Sequence, residues 1–211
     1  MADITLWGFD GSTYVRTVKM LLAEKNVSDF KQVPLNVLEK EPRTPEHLER
    51  HPWGKVPVLD YDGFRILETT AITRFLNDVL PGKSLIPKTP QDRARMDMIM
   101  GLVDSYGYGA LLGSVAAYHL FPDFVGGKND DARRRGLEVG QKVVNFAMQT
   151  KAQSLFLAGD LSLADLYLAP ILFYVSLTPD KDRVFEVPGF ADWWSRVQAL
   201  DSFRSTQPNL G

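Results

Sequence analysis

The spacing of apolar residues changes once along the chain, close to residue 81. Residues 1–80 alternate short β-type runs with segments in which apolar residues recur every three or four positions. Residues 81–90 are rich in proline, glycine and hydroxyl side chains, which is typical of a linker. Beyond that linker only helical periodicity is found. The pattern predicts a mixed βαβαββα domain at 1–80, a linker at 81–90 and an all-helical domain at 91–211.

Local signals place the elements of both predicted domains. In the first, Asp62-Gly63 is typical of a tight hairpin turn, and Pro34 favours an edge position for the strand that contains it. Strands are predicted at 4–9, 30–37, 56–61 and 64–67. In the second, Ser162 and Asp165 indicate a capping box at the start of a helix. Helices are predicted there at 93–120, 131–150, 163–175 and 190–200.

The composition excludes several classes of function. Of the 211 residues, 24 are Lys or Arg and 26 are Asp or Glu, so the formal net charge is −2, which argues against binding nucleic acid by neutralising phosphates. The chain has no cysteine, which excludes a disulfide framework, a thiolate zinc site and a cysteine nucleophile. The first residues resemble no secretory signal, and the most apolar stretch, 167–177, is too short to span a bilayer. We therefore expect a cytoplasmic protein that binds neither nucleic acid nor membrane.

A row of small residues follows one face of the predicted helix 93–120. Each interior glycine costs about 1 kcal/mol relative to alanine, so the row indicates a packing or functional cause. One interpretation is a groove that receives the ridge of another helix. The other is a hollow for a ligand, lined by Tyr106, Tyr108 and Tyr118. The row consists of Gly101, Ser105, Gly109, Gly113 and Ala117.

Ser12 is the first residue that could carry chemistry. It stands where the first strand gives way to a helix, and the free N–H groups and the macrodipole of a helix start favour an anion. Arg16, one turn further along, adds positive charge near the same spot. Taken alone, a serine at this position is better explained as a helix cap.

Two further motifs follow in residues 53–69. Pro57 begins a strand after a glycine-containing loop and is a candidate for a cis peptide bond, a bend that would expose the backbone of Val56 to an extended ligand. Glu68 and Thr69 stand at a helix start, where the carboxylate can hold an amine and the hydroxyl and N–H can hold a carboxylate. Each motif alone also has a purely structural interpretation. Their occurrence in this order on a βαβαββα pattern is the stronger signal.

Two other patterns are interpreted as structural. His47 and His51 have the i, i+4 spacing of metal ligands, but Pro52 ends the helix directly after them, so no metal site is predicted. Asp130 and Asp131 suit the positive end of a helix dipole, and the arginines at 133–135 are expected to form a solvated face.

Together the ordered motifs resemble the glutathione transferase superfamily. The resemblance covers essentially the whole chain and includes the capping box and the late segment 187–199. The spacing of Ser12 and Arg16, together with residues 53–57 and 68–69, is most similar to the phi class and its bacterial relatives. The resemblance implies a thioredoxin-like N-terminal domain that binds glutathione. It also implies an all-helical C-terminal domain that contributes the site for a hydrophobic substrate.

The same resemblance implies roles for individual residues. Ser12 would be the catalytic hydroxyl that donates a hydrogen bond to the glutathione thiolate, with Thr13 as a competing donor. Val56 would pair with the cysteinyl backbone, and Glu68 and Thr69 would hold the γ-glutamyl end. The implied glutathione-binding residues are Arg43, which replaces a His-Lys pair near the glycyl carboxylate, Lys55, which stands where glutamine is usual, Val56, Pro57, Glu68 and Thr69. The implied substrate-pocket residues are Phe9, Asp10, Gly11, Tyr14, Tyr106, Tyr108 and Tyr118.

An activity and a partner are implied as well. The glutathione thiolate would attack small hydrophobic electrophiles, as in detoxification, with glutathione as co-substrate and no metal. Trp53, an aromatic residue on a loop, would insert into a helical pocket of a second copy, which predicts a homodimer. Alternatives on the same site are a glutathione-dependent peroxidase, dehalogenase or isomerase. A non-catalytic interaction module of the same fold is a further alternative.

A single hydroxyl is sufficient for the expected chemistry. A thiol with a pKa near 8.5 is only a few per cent ionised at pH 7, and lowering that pKa by about two units corresponds to about 2.7 kcal/mol. One charge-assisted hydrogen bond contributes about 1.5–3 kcal/mol, and a helix N-terminus adds up to about 1 kcal/mol. No general base on the protein is required.

Overall fold

The first part of the chain forms a small mixed sheet. The computed structural model describes residues 2–151 and 153–209, and in them the sheet has four strands. These are β1 Ile4–Trp7, β2 Lys31–Val33, β3 Val58–Tyr61 and β4 Phe64–Leu67. β2 runs parallel to β1, whereas β1–β3 and β3–β4 are antiparallel, and the order across the sheet is β2-β1-β3-β4. The predicted strands are thus confirmed, the first three with shorter bounds and the fourth with the predicted bounds.

Turn and proline chemistry explain the limits of these strands. Asp62 and Gly63 both have positive φ, 48° and 80°, the conformation that a two-residue turn between right-twisted strands requires. β2 lies at the edge of the sheet, as predicted. It ends at Val33, because Pro34 offers no N–H to a strand ladder.

Two amphipathic helices supply the core of the first part of the chain. α1, Thr13–Glu24, and α3, Thr69–Val79, pack against each other and bury their apolar faces. Between them in sequence, a 3₁₀ turn at Glu41–Arg43 leads into the short helix α2, Pro45–Arg50. The fully buried apolar side chains of these elements and of the sheet include Leu6, Val15, Val18, Leu21, Leu22, Leu59, Ile72 and Leu76. The predicted strand, helix, strand, helix, strand, strand, helix order is confirmed.

The last described helix packs on α1. The side chain of Arg16 is only 1% exposed, and its Nη2 donates to the backbone oxygen of Phe203 at 2.8 Å while its guanidinium lies over the Phe203 ring. The last helix, Asp201–Ser205, thereby joins the first compact unit, which comprises residues 1–84 and 200–211. The second unit comprises Leu85–Ala199. The boundaries 1–80, 81–90 and 91–211 stay a prediction, from which this grouping differs in its last residues.

In the described residues of the second unit the regular elements are all helices, as predicted, and the only β pairing is in two isolated bridges, Phe156–Gly159 and Ala158–Asp160. Its long first helical run begins as an α-helix, widens to π-type turns at Val103–Ala116 and ends as an α-helix, whereas the sequence predicted one uniform helix there. Every helix in residues 2–151 and 153–209 is too short or too polar to cross a bilayer. The helices are α4 Pro90–Leu102, α5 Ala117–Leu120, α6 Asp130–Lys151, α7 Leu163–Ser176, α8 Lys181–Phe185, α9 Phe190–Ala199 and, in the first unit, α10 Asp201–Ser205. The α/β plus all-α fold class is confirmed.

Close packing between helices of the second unit depends on glycines other than the predicted row. A Cβ at Gly140 of α6 would lie 2.4 Å from Leu111, and one at Gly136 would lie 2.6 Å from Ser114. By contrast, a Cβ at Gly101 or Gly109 would meet nothing within 4 Å. The expectation that these row glycines receive another helix within the chain is therefore wrong, because α6 provides the small residues of that contact.

Candidate active site

Three loops meet at one end of the sheet because of its register. Trp7 is paired with Val58, and Val58 is paired in turn with Leu67. The end of β1, the start of β3 and the end of β4 therefore lie side by side. The chain segments that follow or precede these ends carry the predicted residues Ser12, Val56, Pro57, Glu68 and Thr69.

Ser12 caps the N-terminus of α1. Its backbone is extended, with φ −79° and ψ 125°, and its Oγ accepts a hydrogen bond from the Val15 N–H at 3.4 Å. This bond uses a lone pair of the hydroxyl and leaves its proton able to donate. The competing donor, Thr13, is only 2% exposed and its Oγ1 is enclosed by protein. Of the two hydroxyls, Ser12 is the one that a ligand at the helix start can reach.

The loop between β1 and α1 is held by a polar network. The Asp10 carboxylate accepts from Lys19 Nζ at 2.6 Å and from Gln32 Nε2 at 2.9 Å, and the same amide donates to the Gly8 oxygen. Partial burial alone would raise the pKa of Asp10, but the hydrogen bonds from Lys19 and Gln32 keep that pKa below its usual range. The loop that precedes Ser12 is thus anchored to α1 and β2. The Asp10 carboxylate is therefore paired with the Lys19 ammonium in the absence of a ligand.

The segment before β3 is bent, as the sequence predicted. The Val56–Pro57 peptide bond is cis. Gly54 has φ +56°, and a Cβ there would lie 2.5 Å from the Pro42 oxygen and 2.9 Å from Arg43 Cδ. Only glycine permits this approach. It brings Arg43, the candidate for the glycyl carboxylate, next to the loop that carries Lys55, and both side chains are exposed.

Glu68 and Thr69 form the start of α3. Glu68 has φ +69°, an uncommon conformation for a residue other than glycine, and its side chain is 75% exposed. Thr69 is the first residue of the helix, where backbone N–H groups have no partner within the helix. The pair therefore presents a carboxylate beside a positive helix end, which suits a ligand with adjacent ammonium and carboxylate groups.

Two histidines belong to this neighbourhood although the sequence analysis set them aside. His47 is buried, and its Nε2 lies 2.8 Å from the backbone oxygen of Lys55. His51 is 2% exposed and its Nε2 lies 4.0 Å from the Glu68 carboxylate. Their i, i+4 spacing by itself suggests only a metal motif. The signal that could have found them is their position directly before the Trp53-Gly54 loop.

The remaining predicted residues take separate positions. Phe9, Gly11 and Tyr14 lie in and after the first loop, and Arg16 is buried against the end of the chain. In the second unit, the Tyr118 hydroxyl donates to Asp130 at 2.6 Å, which raises the pKa of that phenol. Tyr106 and Tyr108 are exposed on the π-type turns. The substrate-pocket assignment stays a prediction.

An apolar groove lies between α4 and α6 of the second unit. It encloses about 710 Å³, enough for a large side chain or a small ligand. Its polar lining residues are Asp97, Ser105 and Lys142. Its apolar lining comprises Met98, Gly101, Leu102, Tyr106, Val139, Val143 and Phe146. In the first unit, the Trp53 ring stands out from its loop and is 66% exposed.

Comparison with known proteins agrees with this architecture. Residues 2–78 match the glutathione S-transferase N-terminal domain. A maleylacetoacetate isomerase of Rhizobium meliloti is 32% identical over 174 residues, which cover 79% of this chain and 78% of the relative. Glutathione S-transferase F13 of Arabidopsis thaliana is 26% identical over 210 residues, which cover 97% of this chain and 95% of the relative.

A solved structure gives the same result for the fold. Glutathione transferase F7 of Populus trichocarpa superposes with a TM-score of 0.85 at 25% identity, covering 96% of this chain and 97% of that one. Since the match spans both compact units, it includes the helical part that the N-terminal domain match leaves out. The chain belongs to the glutathione transferase superfamily, in which it is similar to the phi class.

Proposed function

We propose that this glutathione transferase conjugates reduced glutathione to small hydrophobic electrophiles, with Ser12 as the hydroxyl that stabilises the thiolate. The observation that supports the proposal most is the Trp7–Val58–Leu67 register. It gathers a hydroxyl at a helix start, a bent backbone segment and an exposed carboxylate beside a second helix start. These groups match a thiol, a peptide backbone and an amino-acid end in one extended ligand.

Each part of glutathione has a complementary group. The γ-glutamyl ammonium pairs with the Glu68 carboxylate, and its carboxylate takes the Thr69 hydroxyl and the N–H groups at the start of α3. The cysteinyl backbone pairs with Val56 ahead of Pro57. The glycyl carboxylate takes Arg43, with Lys55 as a second cation. The proposed role of Lys55 is supported by its exposed ammonium on the same loop.

Ser12 acts on the sulfur. Its O–H donates to the thiolate, and the positive end of α1 adds to the stabilisation, so the thiol loses its proton to solvent at neutral pH. The sulfur lone pair then forms a C–S bond to the electrophile. The displaced electron pair leaves with the leaving group or takes a proton from water. Ser12 neither accepts the thiol proton nor becomes covalently modified.

Isomerisation is a second candidate for the same site. The 32% identity to a maleylacetoacetate isomerase favours it. In such a reaction the thiolate adds to the substrate and is expelled again, so glutathione is not consumed. The two candidates are separated by measuring whether glutathione disappears in step with substrate. Detoxification and a cytoplasmic location stay predictions.

The Ser12→Ala variant tests the proposed chemistry, with Thr13→Val as matched control. We expect kcat/KM with an aromatic halide to fall about 10- to 100-fold in Ser12→Ala, and the pH profile to move upward by about one to two units. Ultraviolet difference spectra of bound glutathione should show the same upward move of the thiol pKa. Thr13→Val should keep the wild-type profile. An unchanged profile in Ser12→Ala would contradict the assigned role.

The proposed assembly is a two-fold homodimer. Trp53 of one copy occupies the apolar groove between α4 and α6 of the other. Its 66% exposure leaves a large apolar ring available to a partner, and tryptophan is, with tyrosine and arginine, enriched among the residues that dominate interface energy. A two-fold axis buries both Trp53 side chains and fills both grooves at once.

A further inference from the structure

His51 connects two parts of the molecule that have separate proposed roles. It follows the last turn of α2, where its backbone N–H donates to the His47 oxygen at 2.8 Å. Its ring Nδ1 accepts a hydrogen bond from the Trp53 backbone N–H at 3.3 Å. Its Nε2 lies 4.0 Å from Glu68 Oε1. One buried ring therefore contacts both the Trp53 loop and the carboxylate at the start of α3.

These contacts determine the protonation of the ring. Because Nδ1 accepts from Trp53, the neutral ring carries its proton on Nε2, which is directed at Glu68. The charged or titratable groups that face the ring are Glu68 at the β4–α3 junction, His47 on α2 and Lys55 on the following loop. Burial, with His47 and Lys55, lowers the pKa of His51 below its ordinary value, although Glu68 acts in the opposite direction. The ring is therefore neutral at neutral pH, and it gains a proton at a lower pH than an ordinary histidine does.

We propose that His51 is a positioning residue for Glu68 and makes the binding of glutathione's ammonium group sensitive to pH. The inference rests on the proposed function, in which Glu68 holds that ammonium. In the neutral ring, Nε2 lies 4.0 Å from Glu68 Oε1, too far for a hydrogen bond, so both carboxylate oxygens stay available to the ligand while the N–H dipole acts on the carboxylate. A protonated ring places a second positive charge on the same carboxylate and uses the nitrogen that accepts from Trp53. Acid therefore weakens ligand binding and loosens the Trp53 loop together.

If protonation of His51 weakens ligand binding, thermodynamic linkage requires that ligand binding also changes the pKa of His51. A ligand ammonium on Glu68 offsets the negative charge that favours imidazolium, so ligand binding lowers the pKa of His51. If ligand binding lowers the pKa of His51 by about half a unit, the protein with a protonated ring binds the ligand about threefold more weakly than the protein with a neutral ring. The pKa of His51 and the affinity for the ligand can be measured independently.

S-methylglutathione is the suitable probe for this proposal. It has no ionisable thiol, and its amine and carboxylates keep their charges between about pH 5 and 7. Calorimetric titration of the wild type should show the affinity falling about threefold or more over this range. His51→Gln keeps an N–H donor near Glu68 but cannot be protonated, so its affinity should change less than twofold. His119→Gln, which removes a histidine of the second unit, should behave like the wild type.

A second measurement covers the case in which His51→Gln fails to fold. Nuclear magnetic resonance titration of the wild-type histidine rings, with and without S-methylglutathione, should show the pKa of His51 falling by about half a unit or more on binding. In steady-state kinetics, KM for glutathione should carry the His51-dependent pH effect and kcat should not.

The outcomes separate this inference from the proposed function. Equal pH dependence in wild type and His51→Gln, or a His51 pKa that the ligand leaves unchanged, would overturn the role of His51 alone. If S-methylglutathione binds to no variant at any pH, the proposed glutathione site and this inference both fail.

Discussion

The indole N–H of Trp193 donates to the Asp165 carboxylate at 2.8 Å, although 28 positions separate the two residues. The same carboxylate oxygen accepts from the Leu157 N–H, and the other oxygen accepts from the N–H and the hydroxyl of Ser162. All of these groups are buried. Asp165 therefore joins the segment before α7, the first turn of α7 and the late helix α9 through one carboxyl group whose two oxygens both accept hydrogen bonds.

Replacing Asp165 with Asn should destabilise the protein strongly. An amide has one acceptor oxygen and turns an NH₂ group toward buried donors, so at least two donors lose their partner. We expect the free energy of unfolding in urea to fall by about 2–4 kcal/mol. Asp192→Asn removes a carboxylate of α9 that pairs with Arg196 at the surface and should cost less than about 1 kcal/mol. Equal losses in the two variants would contradict the assigned role of Asp165.

Arg16 should control the exchange of the C-terminal helix with solvent. Arg16→Met keeps the apolar stem of the side chain but removes the donor to the Phe203 oxygen and the cation over its ring. Amide hydrogens of α10 should then exchange faster with deuterium, by about tenfold or more, while those of the sheet stay protected. Arg204→Met removes an exposed ion pair to Asp201 in the same helix and should leave exchange unchanged. Unaltered exchange of α10 in Arg16→Met would exclude the anchoring role.

Much of the fold was predictable because its signals are local. The Asp62-Gly63 turn, the edge proline Pro34 and the Ser162 capping box each act within a few residues, and the elements they indicate are present. The π-type turns at Val103–Ala116 were not predictable, since no local pattern distinguishes them from an α-helix. The attachment of α10 to α1 depends on the contact between Arg16 and Phe203, which are 187 positions apart.

The candidate site likewise has residues that local sequence signals predict and residues that they do not. Helix-start chemistry singled out Ser12, Glu68 and Thr69, and the sheet register then explains why they lie at one end of the sheet. His51 escaped notice because its partner Glu68 belongs to another strand end, so their approach depends on how β3 and β4 pair. A spacing rule along the chain cannot contain that information.

The Asp180 carboxylate is expected to stabilise the fold at neutral pH and to lose this contribution in acid. Its buried carboxylate accepts from the Arg133 guanidinium and lies 2.8 Å from His119 Nε2. Burial alone would raise the pKa of Asp180, but the hydrogen bonds from Arg133 and His119 hold it below its usual range. A carboxyl with a lowered pKa in the folded state stabilises above its unfolded value of about 3.9 and loses that contribution as pH falls through the folded value.

Asp180→Asn should therefore lower the free energy of unfolding by about 1–3 kcal/mol near neutral pH. The difference from the wild type should shrink as the pH falls below the unfolded value of about 3.9 and through the lower folded value, where the wild-type carboxyl is protonated. Urea denaturation of both proteins at several pH values measures this difference in the free energy of unfolding. Asp131→Asn, which removes an exposed pair with Arg134, should give a small difference at every pH. A large difference for Asp180→Asn that does not change with pH would refute the electrostatic origin.

The proposed dimer contact can be tested from both sides. Trp53→Ala removes the inserted ring, and we expect the dissociation constant of the dimer, measured by analytical ultracentrifugation, to rise about 30-fold or more. Leu38→Ala is the matched loop control, because Leu38 is another exposed apolar residue of the first unit. It should leave the dissociation constant unchanged.

Gly101→Leu blocks the groove instead of removing the ring. A Cβ at Gly101 meets nothing within 4 Å, so the new side chain fits the single chain, and replacing an exposed helical glycine should raise its stability by about 0.5–1 kcal/mol. In the dimer the same side chain fills the space that Trp53 of the second copy would occupy, so dissociation should increase by about tenfold or more. Gly109→Leu is the control, since Gly109 is equally open but does not line the groove. Weaker association in a variant whose chain is more stable cannot come from misfolding. An unchanged dissociation constant in both Trp53→Ala and Gly101→Leu would place the interface elsewhere.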